Sequence, residues 1–210
     1  MAENSVNYYN ENASAFLEST QNVDMSEHYG RFLAHVKENG TILDLGCGSG
    51  RDSLSFLERG YDVLSVDGSD EMCRAAQRLT GRKCECMLFE ELDFEERFDG
   101  IWACASLLHV PKDEMVPILT KVRNALKIGG ALYLSYKYGE TQRTCDGRLF
   151  SDYTEESARK LIWQVGGFSI RESWVTEDVR PEKIQKWINL VCIKENVNET
   201  EKDGEHNDGI

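Results

Sequence analysis

Short apolar runs alternate with stretches of helical spacing along most of the chain. Apolar runs of about four to eight residues, ended by glycine or polar residues, predict strands. The predicted strands fall at 42–45, 61–66, 83–89, 98–105, 131–136, 168–174 and 187–193. Apolar positions three and four residues apart predict helices at 53–59, from Ser69 onward, at 112–126 and at 154–165. This alternation indicates an α/β fold with a doubly wound, mostly parallel sheet of seven strands.

Two stretches depart from regular alternation. Pro117 lies within the predicted helix 112–126, where the missing N–H predicts a kink or a break. Residues 137–153 are mainly polar and contain two glycines, which predicts a long loop. Loops of that length in a compact domain are more often functional than idle.

The segment before the first strand has helical spacing. One apolar face includes Tyr8, Tyr9 and Phe16, and a second helix is predicted after Asp24 or Ser26 as its cap. These helices could cover an edge of the sheet. Equally, they could close a pocket, since the paired tyrosines carry hydroxyls on apolar bodies.

Glycines interrupt the pattern where the first strand ends. Gly46, Gly48 and Gly50 follow the apolar run 42–45, and helical spacing restarts at Ser53. Glycines let the backbone turn sharply and let a ligand approach main-chain atoms. The amide groups of the following helix point back toward this loop. A strand, a glycine loop and a helix in this order predict a nucleotide-binding site.

An acidic residue ends the second strand. Asp67 lies about 20 residues after the glycine loop, where doubly wound folds place the carboxylate that binds ribose hydroxyls. The dinucleotide fingerprint G-x-G-x-x-G requires a third glycine where this chain has Arg51, so the spacing counts against a dinucleotide.

The charge balance disfavours a nucleic-acid partner. The formal net charge is −13 and the isoelectric point is near 4.8, whereas nucleic-acid affinity rests largely on Lys and Arg. We therefore expect no DNA partner. Six of the acidic side chains lie in the polar segment 195–210, which predicts a disordered tail.

Composition also bears on the compartment. No apolar run approaches the length of a membrane span, and the polar N-terminal residues do not resemble a signal peptide. The seven cysteines include no Cys-x-x-Cys pair, which favours reduced thiols over disulfides or zinc. We expect a cytoplasmic protein without a metal.

The residues around the glycine loop resemble a known family. Asp44-Leu45-Gly46-Cys47-Gly48 fits the D-x-G-x-G motif of class I S-adenosylmethionine-dependent methyltransferases, and Asp67 stands where that family has its ribose-binding acid. The resemblance covers roughly 42–136. The run 50–53 and the single domain are also similar to the tellurite-resistance and thiopurine-type enzymes, which act on small molecules.

The resemblance implies S-adenosylmethionine as the cofactor in a Rossmann-like methyltransferase fold. Asp44 would face its ammonium, directly or through water, and Asp67 would hold the ribose. Arg51 would pair with its carboxylate, although a surface role is equally open. At Met87–Glu91 the family's adenine-framing motif is absent, so backbone groups would replace it. The implied cofactor-binding residues are Asp44, Gly46, Cys47, Gly48, Gly50, Arg51, Asp67, Gly68, Leu88, Phe89 and Ala105.

The acceptor side is predicted from the loops at the same end of the sheet. His109, in the loop after the fourth strand, is either a general base or a structural histidine of that turn. Asp178 and Arg180 form either an ion pair or a substrate contact. The predicted substrate-binding residues are Tyr8, Tyr9, Trp102, Ser106, Lys137 and Arg148.

These observations predict a helical cover at 1–40, a methyltransferase domain at 41–194 and a tail at 195–210. The leading hypothesis is methyl transfer to a small molecule by in-line displacement, which needs positioning and water exclusion rather than a metal or a nucleophilic triad. The alternatives are an RNA or protein methyltransferase, a cofactor-binding regulator without turnover and, least favoured, an NAD-dependent oxidoreductase.

Overall fold

The structure, a computed structural model, describes residues 3–180 and 183–196. From residue 197 onward, the predicted acidic tail lies outside the described residues. The helices are α1 (Glu3–Glu11), α2 (Ala13–Thr20), α3 (Ser26–Leu33), α4 (Arg51–Glu58), α5 (Asp70–Thr80), α6 (Met115–Ala125) and α7 (Glu155–Val165). The strands are β1 (Thr41–Leu45), β2 (Asp62–Asp67), β3 (Cys84–Cys86), β4 (Phe98–Ala103), β5 (Leu126–Lys137), β6 (Gln142–Cys145), β7 (Arg148–Ser151), β8 (Phe168–Glu177) and β9 (Lys186–Lys194).

Seven of these strands form one sheet in the order β3-β2-β1-β4-β5-β9-β8. The pairs among β3, β2, β1, β4 and β5 are parallel, and β9 lies antiparallel between β5 and β8. The predicted doubly wound, mostly parallel sheet is therefore confirmed. The strand order reverses at β1 and β4, and α/β proteins bind ligands outside the carboxyl ends of the strands at such a point.

Each face of the sheet carries its own apolar core. The adjacent residues Ile42 and Leu43 of β1 are fully buried on opposite faces. On the face of Ile42, α3 lies close to β4 because Gly100 has no side chain there. A Cβ at Gly100 would stand 2.8 Å from the ring of Phe32 and 2.9 Å from Val36. The close approach of α3 thus depends on one glycine in a central strand.

The N-terminal segment forms three helices rather than one or two. Whereas α3 packs on a sheet face, α1 spans the carboxyl end of the sheet. Asn10 of α1 accepts a hydrogen bond from Ser69 Oγ at 2.6 Å, and Ser5 Oγ accepts one from Leu149 N at 3.2 Å. These two contacts join α1 to the start of α5 on one side and to β7 on the other. The cover therefore lies over the ligand-binding end of the fold, not along a sheet edge.

The prediction of a loop at 137–153 was wrong, because this segment contains the antiparallel hairpin β6–β7. Asp146 and Gly147 at its turn both have positive φ, 50° and 75°. An Asp-Gly pair is a strong signal for a two-residue hairpin turn of this geometry.

Pro117 does not break a helix. Since α6 begins at Met115, Pro117 lies in its first turn, where a backbone N–H has no intrahelical acceptor. The third strand is also shorter than predicted: β3 ends at Cys86, and Phe89–Glu91 forms a 3-10 turn.

Candidate cofactor and acceptor site

The glycine loop joins β1 to α4, and its three glycines have different reasons for lacking a side chain. Gly46, Gly48 and Gly50 have φ of 78°, 53° and 81°. A Cβ on Gly46 would stand 2.4 Å from Ser106 Cβ, and one on Gly50 would stand 2.8 Å from Ala76 Cα. At Gly48 the nearest atom is a ring carbon of Phe16 at 3.4 Å. Packing requires the first and third glycines, whereas the second leaves its backbone open toward α2.

Asp67 ends β2 beside this loop. Its Oδ2 accepts from Gly48 N and its Oδ1 from Ser69 N, both at 2.9 Å. The side chain is largely buried, and burial raises the pKa of Asp67, although the backbone N–H groups oppose this rise. Each oxygen has a lone pair left for another donor. The carboxylate can therefore accept hydrogen bonds from a pair of ribose hydroxyls.

A cleft of about 460 Å³ opens over the loop at the carboxyl ends of β1, β2, β4 and β5. That volume lies within the usual range for small-ligand pockets. Of the predicted cofactor residues, the cleft is lined by Gly46, Cys47, Gly48, Arg51, Asp67, Phe89 and Ala105. The open backbone at Gly48 and the lone pairs of Asp67 fit the amino-acid and ribose portions of S-adenosylmethionine.

Four predicted cofactor residues do not line the cleft: Asp44, Gly50, Gly68 and Leu88. Asp44 is 2% exposed, and its Oδ2 accepts from Ser53 Oγ at 2.6 Å. Burial and the nearby Asp52 raise the pKa of Asp44 to about 8. The side chain of Asp44 lies beneath the loop, where it supports the first turn of α4, and its contact with the cofactor ammonium, directly or through water, stays a prediction.

Arg51 lines the cleft and also forms an ion pair with Asp52. Its Nε and Nη2 donate to Asp52 at 2.6 and 3.0 Å, and its Nη1 donates to Thr20 O at 3.1 Å. Two of its five N–H groups remain for a carboxylate in the cleft. Arg51 therefore also connects the end of α2 to the start of α4.

Asp52 is a buried carboxylate that accepts hydrogen bonds from three residues, and the sequence analysis did not predict this role. Besides Arg51, its donors are Tyr29 OH at 2.5 Å and Trp102 Nε1 at 2.8 Å. Burial alone would raise the pKa of Asp52, but Arg51 and these donors hold it below its usual value. The adjacent Arg-Asp pair after the glycine loop was the available signal.

Trp102 belongs to the core and not to the acceptor wall. It is fully buried and stacks on Tyr133, with ring centroids 3.9 Å apart. Its prediction as a substrate-binding residue was wrong because alternate residues of a strand point to opposite faces, and Trp102 points into the core on the side of α3.

Tyr9 and His109 meet across the cleft, although 100 positions separate them. His109 Nδ1 lies 2.6 Å from the carbonyl oxygen of Leu149, which can only accept, so Nδ1 carries the proton. Burial lowers the pKa of His109 to about 4, so the ring is neutral at pH 7. Its Nε2 therefore accepts from the Tyr9 hydroxyl at 2.8 Å.

Of the other predicted substrate-binding residues, three line the cleft and one does not. Lys137, Arg148 and Ser106 line the cleft, and Tyr8 does not. Ser106 Oγ is buried and has no hydrogen-bond partner within the described residues. An unpaired buried hydroxyl is costly, so a bound molecule is the natural partner for Ser106.

The segment between β8 and β9 forms another part of the cleft, and Asp178 and Arg180, given above as an ion pair or a substrate contact, both line it. Asp178 forms an ion pair with Arg180 at 2.7 Å and accepts from Trp187 Nε1 at 3.1 Å. Glu177 and Gln185 also line the cleft, as does Phe16 of α2. Sequence analysis missed Phe16, Glu177 and Gln185, and Asp178 and Arg180 were the signal for this wall of the cleft.

Across residues 3–180 and 183–196, no group of three or more His, Cys, Asp and Glu side chains is arranged to hold a metal ion. The helices within those residues are also too short or too polar to span a membrane.

Known proteins match both the sequence and the fold. Residues 42–130 match a family model described as a methyltransferase domain. A Bacillus subtilis protein named as a methyltransferase, YqeM, is 30% identical over 143 residues, which cover 62% of this chain and 56% of that protein. The match to a sterol 24-C-methyltransferase of Pneumocystis carinii covers 33% of that enzyme, so the chain spans about half or less of the length of these relatives.

The structural matches cover more of the chain. A Burkholderia thailandensis 1,6-didemethyltoxoflavin N1-methyltransferase, crystallised with 1,6-didemethyltoxoflavin and S-adenosylhomocysteine, superposes with a TM-score of 0.74 and 25% identity. The superposition covers 91% of this chain and 85% of that one. A magnesium protoporphyrin IX methyltransferase from Synechocystis with bound S-adenosylmethionine has a TM-score of 0.72 at 16% identity, over 90% and 94% of the two chains. Residues 42–130 therefore match a methyltransferase domain, the fold is similar to that of methyltransferases crystallised with S-adenosylhomocysteine or S-adenosylmethionine, and S-adenosylmethionine is the cofactor that these matches support.

Proposed function

We propose that the protein transfers the methyl group of S-adenosylmethionine to a small-molecule acceptor by in-line displacement. The observation that carries this proposal is the cover over one side of the cleft beyond the glycine loop. Tyr9 of α1 reaches across to His109, and Phe150 of β7 closes the same side. The cleft of about 460 Å³ also has to hold the cofactor, so the space left under Tyr9 and Phe150 suits a small molecule better than a nucleotide or side chain attached to a macromolecule.

The residues in the cofactor half of the cleft would bind and orient S-adenosylmethionine. When bound, S-adenosylmethionine supplies a methyl carbon activated by its sulfonium. The backbone at Gly46 and Gly48 would hold its amino-acid portion, Asp67 its ribose and Arg51 its carboxylate. Phe89 and Ala105 would line the adenine side.

The acceptor half supplies a route for a proton. Burial raises the pKa of Tyr9, so its hydroxyl stays protonated and donates to His109 Nε2. The Tyr9 oxygen can still accept a hydrogen bond from an acceptor N–H or O–H. As the acceptor atom gains a methyl group, its proton would pass to Tyr9 while the Tyr9 proton passes to His109. His109 thus acts through Tyr9, and Leu149 O holds its ring in the required tautomer.

The nature of the acceptor has further support. The Burkholderia neighbour was crystallised with a small molecule, 1,6-didemethyltoxoflavin, as well as S-adenosylhomocysteine. The net charge of −13 disfavours an RNA acceptor. Three statements stay predictions: a closer relationship to the tellurite-resistance and thiopurine-type enzymes, the boundaries of the three predicted segments, and a cytoplasmic location.

A methyl-transfer screen tests the proposal. The protein is incubated with methyl-labelled S-adenosylmethionine and cell extract, which is then fractionated into metabolites, RNA and protein. Label in the metabolite fraction, lost with Asp67→Ala, is the expected result. Label confined to RNA or protein would overturn the small-molecule acceptor, and binding of S-adenosylmethionine without transfer to any fraction would favour a regulator.

A further inference from the structure

Two cations line the acceptor side of the cleft in an otherwise acidic protein. Lys137 is the last residue of β5, and Arg148 is the first residue of β7. They come from different strands, and the hairpin β6–β7 brings them to the same ring. The Lys137 ammonium lies 3.6 Å from the centroid of Phe150, and the Arg148 guanidinium lies 5.2 Å from it.

Neither cation is paired with a buried carboxylate of the described residues. Among the described residues, no carboxylate forms an ion pair with Lys137, and its ammonium contacts the face of Phe150. Arg148 stands 3.9 Å from Asp146, whose side chain is 72% exposed, so that pair is weak. Arg148 Nε is buried without a hydrogen-bond partner in the described part of the chain.

Two other arginines that line the cleft form close ion pairs. Arg51 is held by Asp52 at 2.6 Å, and Arg180 is held by Asp178 at 2.7 Å. These two cleft arginines are thus paired with largely buried carboxylates, whereas in the described part of the chain Lys137 has no such partner and Arg148 has only the exposed Asp146. Burial lowers the pKa of Lys137, and Arg143 and Arg148 lower it further, so a bound anion would relieve a real electrostatic cost.

We propose that Lys137 and Arg148 bind an anionic oxygen group, a carboxylate or a phosphate, of the methyl acceptor. This inference rests on the proposed function, because it assigns a ligand to the same cleft. The cofactor's own carboxylate does not explain the two cations. The glycine loop and Arg51 follow β1, and β5 lies two strands away in the sheet, which corresponds to about 10 Å.

Binding of matched probes tests the proposal without turnover. Benzoate, phenyl phosphate and the neutral benzamide are titrated by calorimetry into the protein, both alone and loaded with S-adenosylhomocysteine. We expect at least tenfold tighter binding of one anion than of benzamide, and the anion that binds identifies the group as carboxylate or phosphate. Lys137→Met and Arg148→Met should each remove this preference and leave the affinity for S-adenosylhomocysteine unchanged.

Lys112→Met is the matched control. The ammonium of Lys112 also lies over an aromatic ring, that of Tyr153 at 5.0 Å, but Lys112 does not line the cleft. This variant should keep the preference for the anion. Equal binding of benzamide and both anions, or a preference that survives in Lys137→Met and Arg148→Met, would overturn the proposal. Failure of S-adenosylhomocysteine to bind the wild type would instead count against the proposed function. The titrations of the protein alone would still show whether Lys137 and Arg148 bind an anion.

Discussion

The neutral state of His109 leads to a quantitative prediction about stability and pH. Burial lowers the pKa of His109 from 6.5 to about 4, so the folded protein binds fewer protons than the unfolded chain between these values. Stability therefore rises with pH across this window. The contribution is fully present above about pH 6.5 and is lost as the pH falls to about 4.

The size of the effect follows from the two pKa values. A tenfold change in proton affinity corresponds to about 1.4 kcal/mol, so the whole window amounts to about 3 kcal/mol. At pH 5.0 the unfolded chain has bound most of its proton and the folded protein has not. About 2 kcal/mol of that contribution is lost by then.

Urea unfolding at pH 7.5 and 5.0 of the wild type and His109→Gln measures this loss. Glutamine replaces the ring with a neutral side chain, so the variant lacks the pH-dependent contribution of His109. The stability advantage of the wild type over the variant should shrink by about 2 kcal/mol between the two pH values. His28, whose pKa burial also lowers, contributes equally to both proteins and cancels in the comparison.

A second measurement does not depend on the variant. In NMR spectra of the wild type, the ring resonances of His109 should stay unchanged from pH 8 to pH 5, with the proton on Nδ1. An equal pH dependence of wild type and His109→Gln, or a ring that titrates near 6.5, would show that His109 is solvated. The chain of hydrogen bonds from Tyr9 through His109 to Leu149 would then not exist in solution.

Three further predictions concern the cofactor half and its support. Asp67→Asn should weaken the binding of S-adenosylhomocysteine by about 2 kcal/mol in calorimetry, because the carboxylate is placed to accept from ribose hydroxyls. The variant should stay folded but lose about 1–3 kcal/mol in urea unfolding, since an amide cannot accept from both Gly48 N and Ser69 N. Gly46→Ala should cost about 2–4 kcal/mol in urea unfolding because its Cβ would overlap Ser106 Cβ, whereas Gly48→Ala should cost only about 1 kcal/mol; equal costs would contradict the packing. Trp102→Phe should lower the free energy of unfolding by about 1–3 kcal/mol without changing the affinity for the cofactor. Weaker cofactor binding with unchanged stability would show instead that Trp102 lines the cleft.

The cofactor half of the site could be predicted because its signals are local. A buried strand, glycines at alternate positions and a helix start all lie within 42–53, and Asp67 ends the next strand. Parallel strands place such residues at one edge of a sheet whatever the rest of the chain does. The strand order reverses next to this loop, so correct local elements led to a correct fold.

Side-chain direction limited the prediction even within these elements. Asp44 and Trp102 face each other in register on β1 and β4, and both are buried rather than in the cleft. Apolar runs of central strands are buried on both faces, so hydrophobic periodicity does not reveal which residues face a ligand. The same ambiguity hid Asp52, whose partners Tyr29 and Trp102 come from α3 and β4.

The acceptor half depends on contacts between segments far apart in the chain. Tyr9 reaches His109 across 100 positions, and His109 is oriented by Leu149, a further 40 positions away. Lys137 and Arg148 share Phe150 only because the Asp-Gly turn folds 137–153 into a hairpin. Acceptor recognition is thus carried by an N-terminal helix and an inserted hairpin, elements that can change without altering the strands that hold the cofactor. Because loops and added segments vary more freely than a buried sheet, the residues that select the acceptor are the ones a local motif describes least.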